Sequence, residues 1–346
     1  MKFKLRRSML AIGLFGTLAG GLGTTATAQT KEATIRIAYN LPKDHATGLY
    51  FETLAAEIEK LTAKTPLKIK ARTFPNGQLY SDTQLPDAVS TGAVEIGQMN
   101  IGFINGPDAE PLRIWGLPFL YNSWDALWAV EDNPVFKGTF DRQFSKFDMR
   151  MLGWVQYGTV EFYANKPIKL PASMKGLRLR AFGVDTSMLI QDLGGSPVSL
   201  SSQEMYQAVQ RGTIDGFITG PTSVYSRKLY EVTKNGTAIA VNYLSFMATA
   251  NAKWLAGLPE ETRAAVIQAS SIAQTTARNR AKDDDRIARE QLAKVGVTTP
   301  QLTAAERQQW VDAAQKRYQE YRNKAGATGT QLLEIVAAAN KKFAPH

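Results

Sequence analysis

Cysteine is absent from the 346 residues of this sequence. Thiol catalysis, disulfide frameworks and Cys-ligated zinc or iron–sulfur sites are excluded at once. Histidine is almost as scarce, with His45 and His346 the two copies. So small a supply all but excludes a Ser-His-Asp triad and a multi-histidine metal centre. Beyond the first thirty residues no apolar run approaches the ~20 residues needed to span a bilayer. Gly (27) and Pro (15) are too few for collagen-like or low-complexity sequence. What is present, 44% hydrophobic and 21% charged residues, fits a globular chain with room for two lobes.

The start of the chain reads as a targeting segment. Lys2, Lys4, Arg6 and Arg7 precede an apolar stretch from Met9 to Gly23, followed by Ala26-Thr27-Ala28. A basic start, a short apolar core and a small-x-small tripeptide are the three parts of a secretory signal, so residues 1–28 are expected to be cleaved and the mature protein exported. Arg6-Arg7 hints at twin-arginine export, although the residues around the pair do not complete that signal. Loss of the four basic residues lowers the formal charge from +10 to about +6. The remaining charges are mixed: KDDDRIAR at Lys282–Arg289 alternates sign like a solvated helix face rather than a nucleic-acid stripe. No nucleic-acid partner is expected.

The mature chain alternates strand-like and helix-like patterns. Ala33–Asn40 and Leu67–Phe74 alternate apolar and polar residues as strands do, and Val94–Met99 reads as a third strand. Between them, Thr47–Leu61 carries apolar residues at helical spacing and Ser81–Ser90 is helical. This order requires crossover connections and hence a largely parallel sheet. No G-x-G-x-x-G opens a helix after any of these strands, which removes the dinucleotide-binding alternative. A second round begins near Met149, with strands at 149–158, 161–168, 176–181, 197–200 and 213–218 and helices at 186–193 and 202–211, Ser202 serving as a helix cap. From Glu260 to Val295 there is neither Pro nor Gly, so a helix of ~54 Å can run across both lobes. Helices at 304–324 and 330–342 follow. The fold class is α/β, with two lobes and a cleft where a small ligand would sit.

Between Lys175 and Lys234 the residues become specific: KGLRLRAFG, then GGSPVSLSSQEMYQAVQRGTIDGF, then YSRKLYEVTK. Earlier pieces, LPKDHATG, FPNGQL and LPFL, stand in the matching order. In these motifs the chain resembles the DctP-type extracellular solute-binding subunits of tripartite ATP-independent periplasmic (TRAP) transporters, over nearly the whole mature sequence. The resemblance implies a two-lobe periplasmic-binding-protein-like architecture with a long helix spanning both lobes. It implies residues 29–157 plus 246–285 for lobe I and 158–245 plus 286–346 for lobe II. It further implies a periplasmic monomer without cofactor or enzymatic activity, which closes on a small organic anion and delivers it to TRAP membrane subunits.

The same resemblance assigns the ligand carboxylate to Arg180. A guanidinium is always charged, and its planar fork matches both carboxylate oxygens. One branch of the family has a second anchoring arginine where this chain has Val160, and many members have asparagine at the position of Thr219. Some members hold a metal beside that position, where this chain has Ile218; no metal is expected, although Glu161 is close by. These departures point to one carboxylate on a less polar body, an aromatic or short aliphatic acid, with hydroxy and keto acids included. Further cleft candidates are Asn40, Asn100, Phe103, Tyr157, Phe182, Tyr243 and Phe246, the aromatics being able to sandwich a ring. His45 is read as a helix-start residue. Open alternatives are a sulfonate or other anion, a sensing role beside a membrane receptor, and a secreted hydrolase using paired carboxylates.

Overall fold

The computed structural model describes residues 31–344, so the expected signal segment lies outside the described residues. The first half opens with β1 (Lys31–Ala38), α1 (Ala46–Thr62), β2 (Leu67–Phe74), α2 (Leu85–Ser90) and β3 (Ile96–Met99). Each lies within a few residues of its place in the sequence pattern. α1 buries Tyr50, Phe51, Leu54 and Ile58 along one face, the stripe that period 3.6 requires. His45 caps it: its Nδ1 accepts from Thr47 N at 3.0 Å while Nε2 faces Thr222 Oγ1 at 2.9 Å.

After a 3₁₀ segment at Pro107–Gly116 come α3 (Trp124–Glu131) and α4 (Pro134–Ser145). Both start at side-chain caps, Ser123 accepting from Ala126 N and Asn133 from Val135 N and Phe136 N. Trp115 from the 3₁₀ segment stacks on Trp154 at 4.5 Å, and Phe140 of α4 meets Trp154 edge-on. This aromatic core supports the outer side of the first lobe.

β4 (Met149–Ala164) is one strand of 16 residues where the sequence pattern suggested two. The second lobe follows: β5 (Arg178–Ala181), α5 (Val184–Asp192), β6 (Ser196–Ser199), α6 (Met205–Gln210), β7 (Gly216–Thr219), α7 (Pro221–Ser226) and β8 (Asn235–Gly236). α6 begins later than expected, and Ser202 does not cap it; Ser201 instead bonds Glu204 at 2.6 Å. The chain returns through β9 (Asn242–Asn251) and short α8 (Ala252–Ala256) into α9 (Glu260–Lys294) and α10 (Ala304–Lys342). α10 breaks at Gly326, whose φ of 57° is left-handed, so the two expected C-terminal helices meet there end to end.

The strand order is β2-β1-β3-β9-β4-β7-β5-β6, with β8 beside β4. β1, β2 and β3 are mutually parallel, as are β5, β6 and β7. β9 and β4 are antiparallel to each other and to the strands they flank. The sheet is therefore mixed rather than largely parallel, because two long strands cross between the lobes in opposite directions. β4 pairs with β9 as far as Val160 and with β7 from Glu161 onward. Register shifts at Met151/Gly153 and Gln156/Gly158 bend it on the way.

α9 packs on α1, β4 and α7, and so touches elements of both lobes. Two buried ion clusters fasten it to the crossing strands. Arg278 pairs with Glu131 at 2.7 Å, and that carboxylate also accepts from Gln156 of β4 and Ser245 of β9. Arg289 pairs with Glu161 of β4 and with Asp285, and donates to Thr159 Oγ1 at 2.6 Å. α10 packs against residues 107–116, α3 and α5.

Candidate ligand-binding site

The carboxyl ends of both parallel strand sets point at one place, where open α/β sheets bind ligands. Asn40 and Leu41 follow β1, Asn100 follows β3, Arg180 and Phe182 close β5, and Thr219 ends β7. These residues line a single cavity with Asp82, Tyr157, Ser202, Ser223, Arg227, Leu244 and Phe246.

Arg180 is 2% exposed, whereas Arg178 on the same strand lies outside and pairs with Asp215 at 2.8 Å. Arg180 Nε donates to Leu200 O at 3.0 Å, one Nη lies 3.5 Å from Ile218 O, and the other lies 3.5 Å from Asp82 Oδ2. The contact to its one carboxylate partner is long. Burial pulls this guanidinium below the usual arginine range; Asp82 opposes the shift and Arg227 adds to it.

Asp82 faces Arg180 across the cleft. Its carboxylate accepts from Asn40 Nδ2 at 3.2 Å and from Ser202 N at 3.3 Å. Asn40 Nδ2 also donates to Ser202 Oγ at 3.0 Å, which fixes the orientation of the amide. Asn40 Oδ1 is then buried without a partner among the described residues.

Arg227, at the end of α7, donates one Nη to Asn40 O. Its Nε is shielded from solvent and has no partner among the described residues. Burial lowers its pKa too, with Tyr157 and Asp82 opposing. Two guanidinium groups thus share one cavity with one carboxylate.

Seven of the nine sequence candidates, Asn40, Asn100, Tyr157, Arg180, Phe182, Thr219 and Phe246, line this cavity. Their roles differ. Tyr157 OH bonds Thr219 Oγ1 at 2.8 Å and accepts from Gly220 N, while its ring meets Phe246 edge-on at 5.1 Å. Asn100 spends both ends of its amide on backbone, accepting from Gly102 N and donating to Phe182 O across the cleft. The Phe182 ring centre lies 6.0 Å from the Arg180 guanidinium.

Phe103 and Tyr243 lie elsewhere. The 3₁₀ turn at Ile101–Phe103 carries Phe103 to a separate depression beside Val184 and Met188. Tyr243 packs edge-on against Trp124 at 5.3 Å. Strand alternation separates it from Phe246: residues an odd number apart face opposite ways, and it is Leu244 that shares the cleft face with Phe246. Sequence reasoning missed Asp82, Ser202 and Arg227. Arg227 lies inside the YSRKLYEV motif, which carries the family resemblance but does not show which of its side chains faces the cleft.

Val160 is fully buried, and Glu161 is engaged by Arg289 rather than lining the cavity. Among the described residues no group of three or more His, Asp or Glu side chains is placed to hold a metal ion. The cavity is nonetheless more polar than the departures at positions 160 and 219 suggested, because the added polar groups come from other elements.

Residues 37–324 match the model of the bacterial extracellular solute-binding proteins, family 7. The chain belongs to this family, the DctP-type solute-binding subunits of TRAP transporters. Among its relatives is the C4-dicarboxylate-binding periplasmic protein DctP of Vibrio cholerae, 27% identical over 86% of this chain and 88% of that one. The protein of the same name from Rhodobacter capsulatus is 25% identical over 94% and 97%. Similar solved structures include a TRAP periplasmic solute-binding protein of Shewanella oneidensis with bound succinate, with TM-score 0.83, 23% identity and coverage of 89% of this chain and 99% of that one. DctP6 of Bordetella pertussis, a receptor binding pyroglutamic acid, has TM-score 0.81 and 22% identity over 88% and 100%. The fold is the two-lobe one of these proteins, with the long helix. Family membership places the protein in the periplasm, and among the described residues no helix is long and apolar enough to cross a membrane.

Proposed function

We propose that this chain captures a small organic monocarboxylate between its lobes and delivers it, as a monomer, to TRAP membrane subunits, without catalysing a reaction on it. The lobes are taken as 29–157 plus 246–285 and 158–245 plus 286–346, with α9 running past both. Arg180 carries the reading: a buried guanidinium at a strand end, held by backbone carbonyls and only loosely paired, is built to take a carboxylate. A buried cation so placed is costly unless an anion completes its pairing. The similar solved structures support a carboxylate as the solute, since one holds succinate, with two carboxylates, and another pyroglutamic acid, with one. Against hydrolysis, the cavity is lined by one carboxylate, Asp82, where paired carboxylates would be needed.

The test is a thermal-shift screen of carboxylates and sulfonates on the mature protein, followed by calorimetry of the best binder on wild type and Arg180→Ala. A ligand at ~100-fold excess over Kd adds about 2.7 kcal/mol, which raises Tm by a few degrees in a chain of this size. Arg180→Ala is expected to weaken binding at least a hundredfold with its circular dichroism unchanged. Equal affinities, or a response to sulfonates alone, would remove the assignment.

A further inference from the structure

Among the residues that line the cavity is a buried carboxylate, that of Asp82. Asp82 is 4% exposed and sits among the groups that would receive the solute, 3.5 Å from Arg180. Counting the ionised groups that line the cavity gives two positive charges, Arg180 and Arg227, against one negative, Asp82. The neighbours do not change this sum. Glu204, the nearest other acid to Arg180, is exposed and turned to Ser201. His45, near Arg227, is held neutral by burial.

We infer that Asp82 and Arg227 together set the charge the site accepts, Asp82 tuning a two-arginine cavity to one net positive charge and hence to monoanions. The inference rests on the carboxylate reading of the same cavity. A monocarboxylate brings the buried sum to zero. A dicarboxylate leaves one excess negative charge in a closed, poorly hydrated space, and its second carboxylate meets Asp82 at close range. Without Asp82 the same cavity would carry two positive charges and suit a dianion. Arg227 takes the part of a second cation although Val160 stands where one family branch keeps its second arginine. It reaches the cavity from α7 rather than from β4.

Calorimetry on the mature protein tests this with three matched pairs of acids, butyrate and succinate, lactate and malate, benzoate and phthalate. Wild type is expected to bind the monoanion at least tenfold more tightly in the pairs it binds at all. Asp82→Asn keeps an oxygen for Asn40 Nδ2 and Ser202 N and removes the charge; it is expected to shift the ratio toward the dianion by tenfold or more. Arg227→Gln reads the same count in the other direction, weakening both classes and dianions most, and it decides the matter if Asp82→Asn does not fold. A wild type that prefers dianions, or ratios unmoved in the folded variants, overturns the charge-setting role and leaves the carboxylate reading standing. If none of the six acids binds wild type, both readings fall.

Discussion

At the scale of single residues, burial decides which groups can carry charge. His45 lies wholly inside, and desolvation first, then repulsion from Arg227 and Arg280, lowers its pKa from 6.5 to about 3. Because Nδ1 accepts from Thr47 N, the proton sits on Nε2 and faces Thr222. The unfolded chain takes up a proton below about pH 6.5 that the folded chain refuses until about pH 3. Stability from this residue is complete above pH 6.5 and drains away as pH falls toward 3, at up to about 1.4 kcal/mol per pH unit. Urea unfolding at pH 7 and pH 4.5 should therefore show a larger loss in wild type than in His45→Asn, which keeps a capping acceptor and cannot titrate. Equal losses would show that the imidazole contributes nothing to the acid response. Arg180 was legible in the sequence because a motif frames it. Asp82 and Arg227 were not, because an isolated acid in a turn and an arginine at a helix end look like surface residues until the fold closes over them.

At the scale of elements, the sequence pattern located the parallel strands of both lobes and the long helix, since each has an apolar period and a clear stop. It failed where burial is complete. β4 is covered on both faces, so almost every residue is buried and no alternation marks where one sheet hands it to the next. The pattern does not bring out α3 and α4, although Ser123 and Asn133-Pro134 announce their starts. The ties between α9 and the crossing strands could not be read at all, because they join residues more than a hundred positions apart. Arg278→Met would leave Glu131, whose carboxyl is already pushed upward by burial, without its ion partner. Breaking a buried pair from one side costs about 3–5 kcal/mol, and denaturant unfolding should show a loss of that order. Adding Glu131→Gln should recover much of it; no recovery would mean that Arg278 acts through packing alone.

At the scale of the whole molecule, the two lobes meet beside the cavity, next to its lining residues Asn100 and Phe182. A Cβ on Gly102 would lie 2.6 Å from Phe182 O and 2.7 Å from Gly183 Cα, so backbone touches backbone where β3 and β5 release their chains. Asn100 bridges the same seam. A methyl group at position 102 should hold the lobes apart. With the best carboxylate at saturation, small-angle scattering should give Gly102→Ala a larger radius of gyration than wild type, and calorimetry a weaker affinity. Indistinguishable scattering and affinity would show that the seam can yield.

The position of β9 also has a bearing on how the molecule is made. β3 and β4 never pair with each other; the strand between them is supplied by residues 242–251, after every strand of the second lobe has been laid down. Stretches of polypeptide far apart in the sequence, β3 and β9, must therefore find one another before the first half has a finished sheet. A chain that folds progressively from its N-terminus cannot complete the first half and then add the other. Maturation waits for the return strand, and a chain interrupted just ahead of it is left as two unjoined sheet fragments.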